Sequence, residues 1–193
     1  MSTLIAYFSM KGETITAQMT IEKLAKGHTA VAAEFIQGAV GGELFEIETV
    51  KTYDTDHMKM IYEAQDELKQ GIRPVLKSYP DISGYDTIFL GYPNWWGTLP
   101  MPVVGFLEHY DWNGKRIISF NSSEGSGAGT SQSKIIELCK GAKVEDVYEL
   151  RGSQVSSKRC QRRTQVFSAL LAQKPCVLWK MRKHFWYHWQ QND

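Results

Sequence analysis

No apolar run of about eighteen residues occurs in the sequence, so no stretch of it has the length of a membrane-spanning helix. Cysteine is scarce. Cys139, Cys160 and Cys176 have neither metal nor redox spacing and cannot all pair, which points to a reducing, cytoplasmic setting. The five histidines show no metal-ligand spacing, and Glu108 and His109 are neighbours rather than parts of an HExxH pair, so no metal is expected. No GxGxxG follows the first apolar run and no GxxxxGKS occurs, which removes the dinucleotide fingerprint and the P-loop. No serine stands in a GxSxG elbow, so nothing points to hydrolysis. The opening MSTLIAYFSM has no basic region or small-residue cleavage site and reads as a strand. Repeats and low-complexity tracts are also missing.

What is present describes one soluble domain with a real core: 193 residues, 42% hydrophobic and 22% charged. The net charge of +1 hides a split. Residues 1–150 carry 13 Lys/Arg against 20 Asp/Glu, a net of −7; residues 151–193 carry 9 against Asp193 alone, a net of +8. The acidic part would repel nucleic acid, and no nucleic-acid reading module occurs in the basic part.

Along the chain, strand and helix patterns alternate. Residues 3–8 form a short apolar run. Residues 10–27 have weak periodicity and read as a long loop with one turn of helix. A helix follows from His28, with Thr29 as its cap and Val31, Ala32, Phe35, Ile36 and Ala39 inward. Residues 43–50 give a second strand. Residues 54–72 give a helix with Met58, Ile61, Tyr62 and Leu68 inward. A third strand ends at Leu90, a helix opens at Pro100, and KRIISF is a fourth strand. SKIIELCKGA is a helix and KVEDVYEL a fifth strand. This order implies an open α/β sheet with helices on both faces.

In such sheets ligands sit beyond the carboxyl ends of the strands. Three loops of unusual composition leave those ends. The first offers the hydroxyls of Ser9 and Thr14, and the helix N-terminus at His28-Thr29-Ala30 offers unpaired N–H groups that suit an anion. The second, GYPNWWGTLP, carries Trp95 and Trp96 between Asn94 and Gly97, aromatic faces suited to a flat conjugated ring. The third, Asn121 to Gly127, is rich in N–H and hydroxyl donors that suit a ring edge bearing carbonyls and nitrogens.

Three stretches together, Tyr7-Phe8-Ser9, Gly91 to Pro100, and Phe120 to Gly127, resemble the flavodoxin-like family, over roughly residues 3–157. The resemblance implies a three-layer α/β/α sandwich around a five-stranded parallel sheet of order 2-1-3-4-5, with FMN bound without a covalent link. It assigns Ser9, Met10 and Lys11 to the phosphate. Relatives continue directly into GNT and the first helix; here residues 13–27 read as an insertion. His28, Thr29 and Ala30 then take the phosphate role, with Thr14 and Thr16 as the alternative. Pro93, Asn94, Trp95, Trp96, Gly97 and Thr98 hold the isoalloxazine, with Trp96 as the stacking ring. Asn121, Ser122, Glu124, Gly125, Ser126 and Gly127 support its other side. No catalytic side chain is required, since the cofactor carries the redox chemistry. Three functions follow: electron transfer between partner proteins, FMN-dependent reduction of quinones or nitro compounds by NAD(P)H, or non-redox interaction.

The end of the chain departs from the family. Residues 1–157 read as the FMN-binding domain and 158–193 as an atypical basic, aromatic segment, part of which replaces the last helix. Val166, Phe167, Leu170 and Leu171 offer a short apolar face before Pro175. Beyond it Trp179, Phe185, Trp186, Tyr187 and Trp189 stand among basic residues. Peripheral contact with an anionic membrane, a partner protein, or an altered terminus without a selected role are the three readings.

Overall fold

A computed structural model describes residues 2–172 except Ala17. The elements run β1 (Thr3–Tyr7), β2 (Gly12–Ile15), β3 (Ile21–Leu24), α1 (His28–Val40), β4 (Glu43–Glu46), α2 (His57–Gln70) and β5 (Thr87–Pro93). Then come α3 (Met101–Glu108), β6 (Arg116–Ser123), α4 (Ser131–Leu138), β7 (Lys143–Val144), β8 (Tyr148–Arg151), a 3-10 turn at Gly152–Gln154, and α5 (Lys158–Ala172).

The main sheet has the order β4-β1-β5-β6-β7, with β8 pairing farther along β6, and its pairings are all parallel. Counting β7 and β8 as two pieces of one strand, this is the five-stranded 2-1-3-4-5 order. Each central strand is buried on both faces, and its side chains alternate between two cores. Leu4, Ala6, Ile88, Leu90, Tyr92 and Ile117 pack with Val103, Phe106, Leu107 and Ile135 on one side. Ile5, Tyr7, Phe89, Ile118 and Phe120 pack with Ala30, Ala33 and Ile36 of α1 on the other. Helix α5 packs on α1 and stacks Phe167 on Tyr148 at 4.0 Å. The result is a three-layer α/β/α sandwich.

Several sequence-based expectations need correction. Residues 10–27 are not a loop with a helical turn; β2 and β3 pair antiparallel as a hairpin, closed by Thr16 and Thr20. Its residues are too exposed for period-two hydrophobicity to stand out. Helix α1 is capped at Gly27 without a side-chain bond, so Thr29 lies inside the first turn and is buried. The second strand stops at Glu46. Thr49 instead bridges Leu76 in the antiparallel sense. The fifth strand is broken between Val144 and Tyr148, where the Glu145 carboxylate bonds Arg116 Nε at 2.9 Å.

Helix α2 starts at His57, where the Asp56 carboxylate accepts the Lys59 N–H at 3.0 Å, and ends at Gly71 in the left-handed region. Met58, Tyr62 and Leu68 are exposed rather than inward, and the buried face carries Met60, Ala64 and Glu67. A buried acid turns the helix. The Glu67 carboxylate accepts from Tyr53 Oη at 2.8 Å and from Lys51 Nζ, whose ammonium also bonds Glu63 at 2.7 Å. Apolar spacing cannot register that face. On α5, Val166 is partly exposed while Phe167 is packed. The side chains of Leu170 and Leu171, and residues 173–193 with Pro175, Cys176, Trp179, Phe185, Trp186, Tyr187 and Trp189, lie outside the described residues.

Candidate functional site

The carboxyl ends of β1, β5 and β6 open into a cavity of about 480 Å³, within the range of small-molecule sites. One end is the start of α1. Ser9 leaves β1 so that its Oγ accepts the Ala30 N–H at 3.1 Å. The Thr29 and Ser122 hydroxyls meet at 2.8 Å. Gly27 lets the chain pass: a Cβ there would stand 2.2 Å from the Met10 carbonyl oxygen and 2.3 Å from Ser9 Oγ. No acidic residue occupies the first turn of α1, so no carboxylate of that turn neutralises the positive end of its dipole beside the cavity. His28 borders the same end. Burial lowers its pKa below the ordinary 6.5, while the charges of Glu124 and Glu22 act in the opposite direction.

The other end is built by the loop after β5. The Trp95 and Thr98 backbones pair in both directions, at 3.2 and 3.1 Å, which closes a two-residue turn over Trp96 and Gly97. Both central residues have positive φ, 54° and 76°. Glycine accepts that conformation, but a tryptophan there is strained by roughly 1–3 kcal/mol. In this turn the Trp96 indole stands half-exposed at the cavity wall, held by Nε1 donating to the Ile61 carbonyl at 2.8 Å. Trp95 behaves differently. It also reaches the cavity, but its ring packs edge-on against Phe8 at 5.2 Å and Tyr53 at 5.3 Å. The family resemblance singled out Trp96 as the stacking ring; the structure leaves Trp96 half-exposed at the wall and packs the partly buried Trp95 against the core.

The hairpin β2–β3 forms the roof, with Ile15, Met19 and Leu24 facing the cavity. It is tied down by Glu13 N–H to the Thr55 carbonyl at 2.9 Å and by the Glu13 carboxylate, which accepts the His57 N–H at 3.4 Å.

Of the residues singled out in the sequence, Ser9, Met10, His28, Thr29, Pro93, Asn94, Trp95, Trp96, Ser122 and Glu124 line this cavity, as do Thr14 and Thr16. Lys11 is exposed and off the wall. Ala30, Gly97, Thr98, Asn121, Gly125, Ser126 and Gly127 do not line it. Several of these act as supports. Asn121 Nδ2 and Asn94 Nδ2 both donate to the Gly127 carbonyl, at 2.9 and 2.7 Å, and Asn94 Nδ2 also reaches Ser126 Oγ at 3.0 Å. Sequence reasoning named none of His57, Met60, Ile61 and Gly152 for the site, and the structure brings all four to the wall. Only the packing of α2 and of the turn after β8 puts them there.

Two wall residues have unmet bonding capacity. Asn94 Oδ1 and His57 Nδ1 are buried without a hydrogen-bond partner. An acceptor and a ring nitrogen left open in a polar-and-apolar cavity suit a ligand with N–H and carbonyl groups on a flat ring. Among the described residues no group of three His, Cys, Asp or Glu could hold a metal.

A family model described as Flavodoxin matches residues 2–162. The chain belongs to the flavodoxin family. Solved structures agree. A candidate flavoprotein from Bacteroides eggerthii is 26% identical with a TM-score of 0.68, over 90% of this chain and 99% of its own. Another from Bacteroides uniformis is 27% identical with a TM-score of 0.65, over 84% and 96%. A flavoprotein from Lactobacillus acidophilus, solved in complex with FMN, shares the fold at 23% identity and a TM-score of 0.56, over 80% and 95%. No curated protein matches significantly. In this flavodoxin-family chain the hairpin between β1 and α1 is the element that roofs the cavity.

Proposed function

We propose that the chain binds FMN in the 480 Å³ cavity and passes electrons between partner proteins. One observation carries this reading: a single cavity has an anion-ready helix start at one end and a strained, half-exposed indole at the other. The separation of charge-seeking and ring-seeking groups matches a phosphate joined to a flat heterocycle. FMN supplies the electron-accepting ring.

The chain's own residues bind and orient. Ser9, Thr29, Ser122 and the first N–H groups of α1 receive the phosphate, with Met10 and His28 beside them. Trp96 and Pro93 take the ring face, and Asn94, held by Gly127, presents an acceptor to the ring edge. Ile15 and Leu24, both partly buried, cover the cavity from above. Asn121 and the 124–127 loop keep that wall in place. The acidic surface of residues 1–150 favours a basic redox partner. A cytoplasmic setting is supported by Cys139 and Cys160, which form no disulfide among the described residues.

A second reading is favoured by the apolar hairpin roof. A covered cavity can hold a flat quinone or nitro compound beside the ring, which suits an NAD(P)H-dependent reductase. NADPH oxidation by the purified chain alone supports this reading; oxidation only with a partner reductase supports electron transfer.

The binding claim is tested by titrating the FMN-free chain with FMN and with riboflavin, following flavin fluorescence. The expected result is stoichiometric quenching by FMN, with riboflavin weaker and Ser9→Ala weakening FMN alone. A chain that ignores both flavins would overturn the proposal and leave an interaction protein as the better reading.

A further inference from the structure

A second cavity, of about 530 Å³, opens beyond the loop after β6, between β8, the turn that follows it and the start of α5. Arg151, Arg159 and Arg163 line it, together with the Gln154 amide and the Ser157 hydroxyl. The Arg151 guanidinium lies against Gly125, where a Cβ would stand 3.1 Å from Nη2 at a φ of 113°. Arg163 sits beside Tyr148 and Cys160 and opposes the upward push of burial on both. Ser157 Oγ accepts the Cys160 N–H at 3.1 Å, and no acid stands in the first turn of α5. Glu149 is the one carboxylate on the wall, and its Oε1 is engaged by the Ala128 N–H at 2.8 Å. Residues 151–172 contain five Lys/Arg and no Asp or Glu, so the local field is positive in an otherwise acidic domain.

We propose that this second cavity binds a phosphoryl anion. Guanidinium groups present paired N–H donors that match phosphate oxygens, and three arginines, from β8 and α5, line this one cavity. The α5 start and the Ser157 hydroxyl add donors of the same kind. Ser123 lines both cavities, so a ligand anchored here reaches toward the first along the end of β6. The anion is therefore either a free phosphate compound or the diphosphate of a dinucleotide reductant. The second source rests on the FMN reading above; the anion site itself does not.

The test is isothermal titration of the full chain with inorganic pyrophosphate at constant ionic strength, with and without saturating FMN, and with NADPH in parallel. One pyrophosphate per chain is expected with FMN bound; without FMN the open α1 start can take a second. Arg151→Gln/Arg159→Gln, two exposed positions, should weaken it roughly tenfold or more. Arg159→Gln alone should weaken it in the same direction if the double variant folds poorly. Lys158→Gln/Arg162→Gln removes the same charge off the wall and should leave binding unchanged. NADPH binding tighter than pyrophosphate, with the same sensitivity to Arg151→Gln/Arg159→Gln, identifies a dinucleotide. Equal or weaker NADPH binding identifies a free anion. Absence of pyrophosphate binding, equal weakening by both double variants, or loss of binding when FMN is present overturns the site. An absence of FMN binding with pyrophosphate binding intact would remove the first reading only.

Discussion

At the scale of residues, two positions at the start of α1 set limits on the site. Gly27 has an ordinary backbone, φ −66°, so its glycine is required by space rather than by conformation. The contacts a Cβ would make are a backbone carbonyl and a hydroxyl that is itself bonded to Ala30, so neither can withdraw cheaply. Gly27→Ala is expected to destabilise the protein by about 1–3 kcal/mol and to weaken FMN binding, read by urea unfolding and flavin titration. His28 couples the same place to pH. Its folded pKa lies below 6.5 because of burial, so between that value and 6.5 the unfolded chain binds more protons. Stability contributed by neutral His28 is therefore present above pH 6.5 and lost as the pH falls through the window. The FMN-free protein should melt at lower temperature as it is acidified below this point. His28→Gln should flatten the dependence; an identical slope in the variant would assign it to another group.

At the scale of elements, the hairpin β2–β3 and helix α2 show different kinds of dependence. The hairpin contributes no strand to the main sheet and packs few buried side chains, so it can be shortened without opening either core. Replacing residues 14–22 by a short glycine-containing turn should leave far-UV circular dichroism intact. FMN release should become faster in stopped-flow dilution, because the roof of Ile15 and Met19 is gone. Unchanged release would show that the roof does not retain the ligand. Helix α2, in contrast, is fixed by the buried Glu67 carboxylate. Glu67→Ala strands Tyr53 and Lys51, and Tyr53 is one of the two rings against which Trp95 packs. A loss of about 2–3 kcal/mol is expected in urea unfolding, below the 3–5 typical of a fully buried pair because Lys51 is a third exposed. Glu67→Gln, which retains an acceptor for Tyr53, should lose less.

At the scale of the molecule, the charge division follows the fold. The sheet and its first four helices are acidic, and the chain becomes basic from the end of β8 onward. Helix α5 stays part of the sandwich because it packs on α1, so the basic block begins inside the folded unit. The family match ends at residue 162, and among the described residues the first cavity takes none beyond Gly152. Removing residues 176–193 should therefore leave FMN affinity unchanged in the flavin titration. A loss of affinity on truncation would mean that the end of the chain reaches the site.

Beyond the sheet order, which the family resemblance implied, the sequence by itself determined the alternation of strands and helices, the three strand-end loops and the place of α1. These depend on local signals: apolar runs between glycines and prolines, a helix period, and donor-rich stretches. It also marked residues 13–27 as additional to the family pattern. Only the tertiary structure decided that this segment is a hairpin roofing the cavity, since exposed strands of four residues carry no clear alternation. It likewise showed how Trp95 and Trp96, of which the family resemblance had named Trp96 for stacking, come to differ. The two are adjacent and chemically identical, and the difference is a left-handed turn that sends one ring into Phe8 and Tyr53 and the other to the wall. His57, Met60 and Ile61 reached the site through the rotation of α2 about a buried acid. Such placements depend on partners distant in the chain. Local periodicity records which residues avoid water, whereas packing decides what each of them meets.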